Sequence, residues 1–423
     1  MAGAIEVRLQ NLDYVFLQLM SDTCLANNDR ASSAFVSGLM PFCNFALSWQ
    51  NSIQLLVLPW VVGQLGGGTG DVGWLIGVTA IAIGLGTSFS GAVSDIWGRG
   101  RLLVLGLSII CIALLLHAWV DSVRMLMVLR LLCGFGTGLS IGLPVTILSD
   151  FSSGEQLRCK TSDNVIAYMI GQTFATPVGL IAVKLYGYKF VFIGIGIFIT
   201  TLVAFLILNL DRITKNKTRR VRLSKFLWFQ LNRQIWKVNS GALLVFYVLS
   251  FAGSSLFLCY FPSWFKFEHD YSLSTISVFY FLSGVFQILI VYVSRKQLLG
   301  MSVEQCVLVS LLTQGVMILL LYFFANSPNL SLAIFSLIMS ALSVRVLPLQ
   351  LFALSVGSSN EKGIRIGMMN TGYQAGRAIG GTLAGLLLMS DSPSYFVLIL
   401  SVLLLLSGAK IVSRSAVFSI SSN

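Results

Sequence analysis

Three arginines, Arg130, Arg345 and Arg377, stand within stretches that otherwise carry almost no charge. A guanidinium is a planar fork of N–H donors that grips a carboxylate or phosphate through two parallel hydrogen bonds. The residues around Arg377 strengthen that reading. Asn370, Tyr373, Gln374 and Arg377 fall at i, i+3, i+4 and i+7, so a helix there carries one polar stripe. Two more stripes lie in the first half: Asn44, Ser48 and Asn51 with Gln50 and Gln54 beside them, and Asn164, Tyr168, Gln172 and Thr176 at steps of four. Tyr247, Phe257, Tyr260, Phe261, Tyr280 and Gln287 add an aromatic wall in the second half.

This is chemistry of recognition rather than of bond making. There is no nucleotide loop and no nucleophile–histidine pair, and the seven cysteines are scattered with no CxxC spacing. No metal or cofactor is expected, and the chain is not read as an enzyme. The two histidines, His117 and His269, each fall near a helix end and read as interfacial residues. All sixteen acidic residues fall in loops, tails or helix ends. A buried cation needs a partner. For Arg345 and Arg377 that partner is either an anionic substrate or the carbonyls of neighbouring helices, and the lack of internal acids favours the substrate.

These side chains are positioned by a chain that is not built for water. Of its 423 residues 56% are hydrophobic and 10% charged, with mean hydropathy +0.85. Soluble domains carry about 25% charged residues. Apolar runs of about 18 or more residues, each a candidate transmembrane helix, recur along the sequence. Twelve are read, over 35–63, 72–94, 102–120, 125–148, 164–184, 190–209, 241–265, 272–293, 304–325, 331–354, 364–389 and 394–412. The expected fold is therefore all-α, with about twelve transmembrane helices. At about 1.5 Å per residue, Arg377 lies roughly 20 Å into a hydrocarbon core of about 30 Å. Arg345 lies three residues before Pro348, where a kink is expected. Gly73, Gly77, Gly84 and Gly91 form a small-residue stripe suited to close helix packing.

The net charge of +12 follows from topology. With alternating spans and a cytoplasmic N-terminus, 21 lysines and arginines fall on the inner side and 4 on the outer. That bias places both termini in the cytoplasm. Residues 1–34 read as a cytoplasmic lead-in, 35–209 and 241–412 as six-helix bundles, 210–240 as a basic linker and 413–423 as a tail. The segment 211–237 interleaves nine Lys/Arg with Trp228, Phe229 and Trp236. It is either a helix lying on anionic lipid or a solvated linker; nucleic acid is not an expected partner. A weak repeat relates the halves: Glu155, Asn164, Thr176 and Gly179 recur 206 positions later as Glu361, Asn370, Thr382 and Gly385.

The densest charge outside the linker is "GAVSDIWGRGR", Gly91 to Arg101, between the second and third runs. Gly91, Ser94, Asp95, Gly98, Arg99 and Arg101 resemble the signature loop of the major facilitator superfamily. "RLLCGFGTG" in the fourth run and the partial "GQTFATPVG" in the fifth resemble further motifs of that family. The latter departs from the antiporter form at Thr176, and the matching loop of the second half, "SRKQLLGMS", lacks the aspartate. The likeness covers the chain from residue 35. It implies two pseudo-symmetric six-helix bundles around a central site that opens alternately to each side. The signature loop then acts as a latch, with Gly91 and Gly98 allowing close approach and Asp95 facing a helix end. Arg99 and Arg101 pair with Asp150 or Glu155. The candidate substrate-binding residues are Asn44, Asn51, Gln54, Arg130, Tyr168, Gln172, Tyr280, Gln287, Arg345, Tyr373, Gln374 and Arg377. For Arg130 the resemblance favours a structural role. The expected function is secondary transport of a small organic anion or amphiphile, such as a siderophore, an organic acid or a phosphorylated metabolite. Proton coupling is open, and the protein is expected to be a monomer in a bacterial inner membrane. A multidrug–proton antiporter is the alternative, ahead of a membrane enzyme or a transport-dead sensor.

Overall fold

The computed structural model describes residues 33–55, 57–214, 238–355, 362–389 and 394–414. Nearly all of the lead-in expected over 1–34, most of the basic linker and the tail beyond 414 lie outside the described residues. Among the described residues the regular structure is helical and there is no strand. That is what a segment in lipid requires, because a helix satisfies its own backbone hydrogen bonds.

Nine described helices are long and apolar enough to cross a membrane. One of them, Gly154–Leu208, is 55 residues long, and unbroken it would reach about 80 Å against a core of about 30 Å. It divides at Gly187, whose φ of 76° and ψ of 165° suit glycine, giving α5 and α6. The other long helices are α1 (33–55 and 57–64), α2 (Thr69–Trp97), α3 (Arg99–His117), α4 (Val123–Phe151), α7 (Val238–Phe267), α8 (Leu273–Gly300), α9 (Val303–Phe324), α10 (Pro328–Ser355), α11 (Lys362–Met389) and α12 (Ser394–Arg414). α1 and α11 are not among the nine, yet each is long enough to span, which restores the twelve expected. Several starts are fixed locally. Ser122, Ser272 and Ser302 accept hydrogen bonds from the backbone N–H of Met125, Thr275 and Gln305 at 3.3, 3.1 and 3.2 Å, satisfying donors that a helix leaves open.

α4 and α10 are each interrupted at one corresponding place. α4 breaks between Val123–Ser140 and Leu143–Phe151, with Pro144 in the first turn of the second piece. α10 breaks at Arg345, between Pro328–Val344 and Val346–Ser355. Pro348 has no N–H to donate and its ring crowds the carbonyl of residue 344, so the break falls just before it.

Two hydrophobic cores result. One is built from residues between Val36 and Ile213, the other from residues between Phe246 and Val412 with Val145. A small third cluster, Val165, Met169, Val291 and Leu347, bridges them. The outer face exposes large apolar side chains such as Ile112, Leu185, Ile197, Leu289, Val309 and Phe323, as a lipid-facing belt does. α2 meets α11, and α5 meets α8, across the seam. At the seam a Cβ on Gly367 would lie 2.9 Å from the Thr87 carbonyl oxygen and 3.0 Å from the Cα of Gly91. The glycine stripe of α2 packs only at this end: Gly73 and Gly77 have nothing within 4 Å of a Cβ. His117 is not interfacial. It is fully buried, stacks on Phe192 at 4.8 Å and pairs through Nδ1 with the Ala113 carbonyl oxygen at 2.6 Å, because α6 covers the end of α3.

Candidate functional site

The seam encloses a cavity of about 230 Å³. The polar stripes converge on it. α1 contributes Asn44 and Asn51, α5 contributes Asn164, Tyr168 and Gln172, and α11 contributes Asn370, Tyr373 and Arg377. α8 adds Gln287, which accepts a hydrogen bond from Ser343 Oγ of α10 at 2.7 Å. Asn44 Nδ2 donates to the Asn164 carbonyl at 2.9 Å and ties α1 to α5 beneath the cavity surface. Asn164 Oδ1 and Gln350 Oε1 are buried acceptors without a partner. Unpaired buried acceptors are costly, by about 1–3 kcal/mol each, and a donor entering the cavity relieves them.

Arg377 is the only charged side chain lining the cavity among the described residues. Its guanidinium lies over the Tyr373 ring, 5.5 Å from the centroid. Tyr373 meets Phe251 edge-on at 4.5 Å, and Phe251 has a second guanidinium, that of Arg345, at 4.9 Å from its centroid. The wall formed by Phe251 and Tyr373 is thus flanked by two cations. Arg345 does not reach the cavity. It is completely buried, and its Nη1 and Nη2 donate to Gln314 Oε1 at 2.9 Å and Ser254 Oγ at 2.8 Å, joining α10 to α9 and α7. Arg130 is its counterpart in the first half. It donates to Gln54 Oε1 at 3.1 Å and to the Gln54 carbonyl at 2.8 Å, joining α4 to α1.

Seven of the twelve expected residues therefore line the cavity: Asn44, Asn51, Tyr168, Gln172, Gln287, Tyr373 and Arg377. Gln54, Arg130, Tyr280, Arg345 and Gln374 do not. Gln374 is buried towards α2, its Cβ 3.8 Å from a Cβ built on Gly84. Tyr280 donates its hydroxyl to the Leu258 carbonyl at 3.0 Å. It belongs to an aromatic cluster in which Phe261 stacks on Phe335 at 4.1 Å. Phe257, Phe261 and Phe265 recur every four residues on the face of α7 that packs into the second core, with Tyr260 there too, so most of the expected wall is turned inward. Of that wall Tyr247 and Gln287 line the cavity, and Phe251 and Leu258 join Tyr247 on α7. Asn164 and Asn370 are additions that share the stripes of Tyr168 and Arg377. Gln350 stands alone in an apolar run, and nothing in the sequence marks it.

The signature loop closes one end of the seam. Gly98, with φ 101°, lets α3 start where α2 stops. Arg99 then reaches Asp95 at 2.8 Å and Asp150 at 2.6 Å. It also donates to the Thr146 carbonyl at 2.9 Å, binding α2, α3 and α4 together. Asp95 Oδ1 and Oδ2 lie 2.9 and 3.0 Å from a Cβ built on Gly363, so the carboxylate faces the first turn of α11. Lys362 Nζ donates to the Ser149 carbonyl at 3.3 Å, and the Thr371 hydroxyl is bonded to those of Thr87 and Ser88 at 3.0 and 2.8 Å. Both contacts cross the seam. The space left between the halves here is about 10 Å³. Arg101 and Glu155 are exposed and stand outside these bridges.

Solved structures of other proteins share this fold. The chain is similar in structure to the human organic anion transporter MFSD10 (TETRAN), with TM-score 0.67 and 18% identity over 91% of this chain and 99% of that one. It is also similar to the proton:xylose symporter XylE bound to 6-bromo-6-deoxy-D-glucose, with TM-score 0.73 and 11% identity over 91% and 96% of the two chains. At such identities the likeness speaks for the fold. No curated protein sequence matches this chain. The sequence itself matches the Major Facilitator Superfamily over residues 41–356. With that match, the apolar helices and the seam cavity between two cores, the chain belongs to the Major Facilitator Superfamily and is a multi-pass membrane transporter of small solutes.

Proposed function

We propose that the solute is a small organic anion, carried by alternating opening of the seam cavity. The observation that carries this reading is Arg377, the one charged side chain on the cavity surface among the described residues, with no carboxylate beside it there. Arg345 supports it from behind Phe251, since two cations and no anion make the potential in the cavity positive. Asn164 Oδ1 and Gln350 Oε1 would accept from hydroxyl or N–H groups on the organic body, and Tyr247, Phe251, Leu258 and Met339 would take its apolar part. The human structural neighbour is an organic anion transporter, which agrees with this reading without carrying it. Residues 35–209 and 241–412 act as the two moving bundles, and 210–240 joins them. Asp95, held within the first half by Arg99, which also bridges to Asp150, acts as a cytoplasmic latch where it faces the first turn of α11, on the side that the excess of lysine and arginine marks as inner.

The test is flux in proteoliposomes, with and without a pH gradient. Benzoate, p-aminohippurate, gluconate and glucose 6-phosphate are run beside tetraphenylphosphonium and ethidium. Saturable flux of at least one anion, with none of either cation, is expected. Flux of the cations alone would overturn the reading in favour of a multidrug antiporter.

A further inference from the structure

The interior arginines differ in one respect that bears on how the transport cycle is coupled. Arg130 and Arg345 are each held within one half, by Gln54 and by Gln314 with Ser254. Their surroundings move with them when the halves rock. Arg377 stands on the seam. It lines the cavity, it is only partly buried, and the groups around it are the ring of Tyr373 and uncharged polar side chains. Its solvation therefore depends on whether the cavity is open.

Alternating access passes through a state closed at both ends. With an organic anion bound, Arg377 enters that state paired. Without one, it enters as a lone cation in a cavity that, among the described residues, is lined otherwise by uncharged side chains. An unpaired charge taken out of bulk water is strongly disfavoured, because the surrounding low-dielectric walls cannot replace its hydration. Asn164 Oδ1 and Gln350 Oε1 can accept hydrogen bonds but cannot cancel a charge. The barrier thus falls on the empty carrier and not on the loaded one. Resting on the anionic reading of the cavity, we infer that the protein is an anion exchanger: Arg377 blocks the return of the empty carrier, so one anion leaves for each that enters. Every passage then carries a neutralised Arg377, and no proton site in the cavity is needed for coupling.

The test uses the full chain in nanodiscs, with its native cysteines replaced and dyes on Ser153→Cys and Ser302→Cys, exposed positions in loops of the two halves at the Asp95 end. Single-molecule fluorescence transfer counts passages between the closed and open arrangements of that end. Dextran sulfate, too large to enter the cavity, is the only anion present. The otherwise wild-type protein should pass between states at least about tenfold less often than Arg377→Gln, since each 1.4 kcal/mol of barrier is tenfold in rate. Arg377→Lys keeps the charge and should stay slow, which separates the charge from any loss of structure in Arg377→Gln. Adding acetate, an anion small enough to enter, should speed the wild type and leave Arg377→Gln unchanged. In proteoliposomes the same barrier should make exchange of an anion at least about tenfold faster than its net exit. Equal passage rates in wild type and Arg377→Gln would overturn exchange and leave the anionic reading standing. Equal affinity of the wild type for an acid and its neutral ester would instead overturn the anionic reading.

Discussion

Asp95→Asn tests whether the loop between α2 and α3 acts on the conformational equilibrium. The native carboxylate has two connections. It accepts from Arg99 Nη2 at 2.8 Å within the first half, and it faces the first turn of α11 across the seam. The side chains of Asp95 and Arg99 are only 13% and 10% exposed, so solvent screens this pair little. Asparagine keeps one acceptor for Arg99 but loses the charge. A charge-assisted hydrogen bond contributes about 1.5–3 kcal/mol, a neutral one about 0.5–1.5 kcal/mol, and a carboxylate at a helix N-terminus about 0.3–1 kcal/mol. The loss is then about 1–3 kcal/mol. The helix-end share, about 0.3–1 kcal/mol, exists only while the halves touch, so the variant favours the state open at this end by about 2–5-fold in the equilibrium. Spin labels on Ser153→Cys and Ser302→Cys should report longer distances in Asp95→Asn, and proteoliposome transport should slow while protein abundance stays near normal. Glu155→Gln, which removes an exposed carboxylate outside the bridges, should change neither. Native distances and a native transport rate in Asp95→Asn would refute the latch.

Other perturbations follow from the same geometry. Gly367→Ala puts a methyl 2.9 Å from the Thr87 carbonyl and 3.0 Å from the Cα of Gly91, both backbone atoms that cannot turn aside. The label distances should lengthen, whereas Gly77→Ala, with nothing within 4 Å, should leave them unchanged. Arg345→Gln removes two charge-assisted hydrogen bonds and leaves Ser254 and Gln314 bonded to one another at 3.2 Å, and a melting curve in detergent should show a loss of about 3–6 kcal/mol, from two bonds at about 1.5–3 kcal/mol each. Single cysteines at Gly68 and Ser327, in a cysteine-free background, should react with an impermeant thiol reagent from outside the cell, and one at Ser153 should not; the reverse would invert the topology.

The sequence revealed the helices more fully than the site. Apolar runs and breakers marked the spans because lipid imposes a length and a composition on each one. The boundary between α5 and α6 was legible as two runs, and Gly187 is the residue that realises it. Stripes at helical spacing led to Tyr168, Gln172, Tyr373 and Arg377, which the seam gathers into one cavity. A stripe has width, however. Tyr373 and Gln374 are adjacent in sequence and about 100° apart around α11, so one faces the cavity and the other faces α2. Depth alone could not separate Arg345 from Arg377, since both are intramembrane cations. What separates them is tertiary: Gln314 and Ser254 come from α9 and α7, and no spacing within α10 announces them. The aromatic residues of α7 were misassigned for a related reason. Phe257 and Phe261 look the same in sequence whether their face meets the cavity or Phe335 of α10.

The claim at the centre of the account is that Arg377 pairs with the negative group of the solute. The direct measurement is the affinity of an acid that passes the flux test, and of its methyl ester, for wild type, Arg377→Lys and Arg377→Gln in nanodiscs, beside a melting curve of each. Arg377→Gln should weaken the acid by one to two orders of magnitude, from the loss of about 1.5–3 kcal/mol of charge-assisted bonding, with Arg377→Lys intermediate because it keeps the charge and loses the fork. The ester should bind all three alike, and the melting temperatures should agree. Equal weakening of acid and ester in Arg377→Gln, together with a lowered melting temperature, would contradict the account and make Arg377 a structural residue.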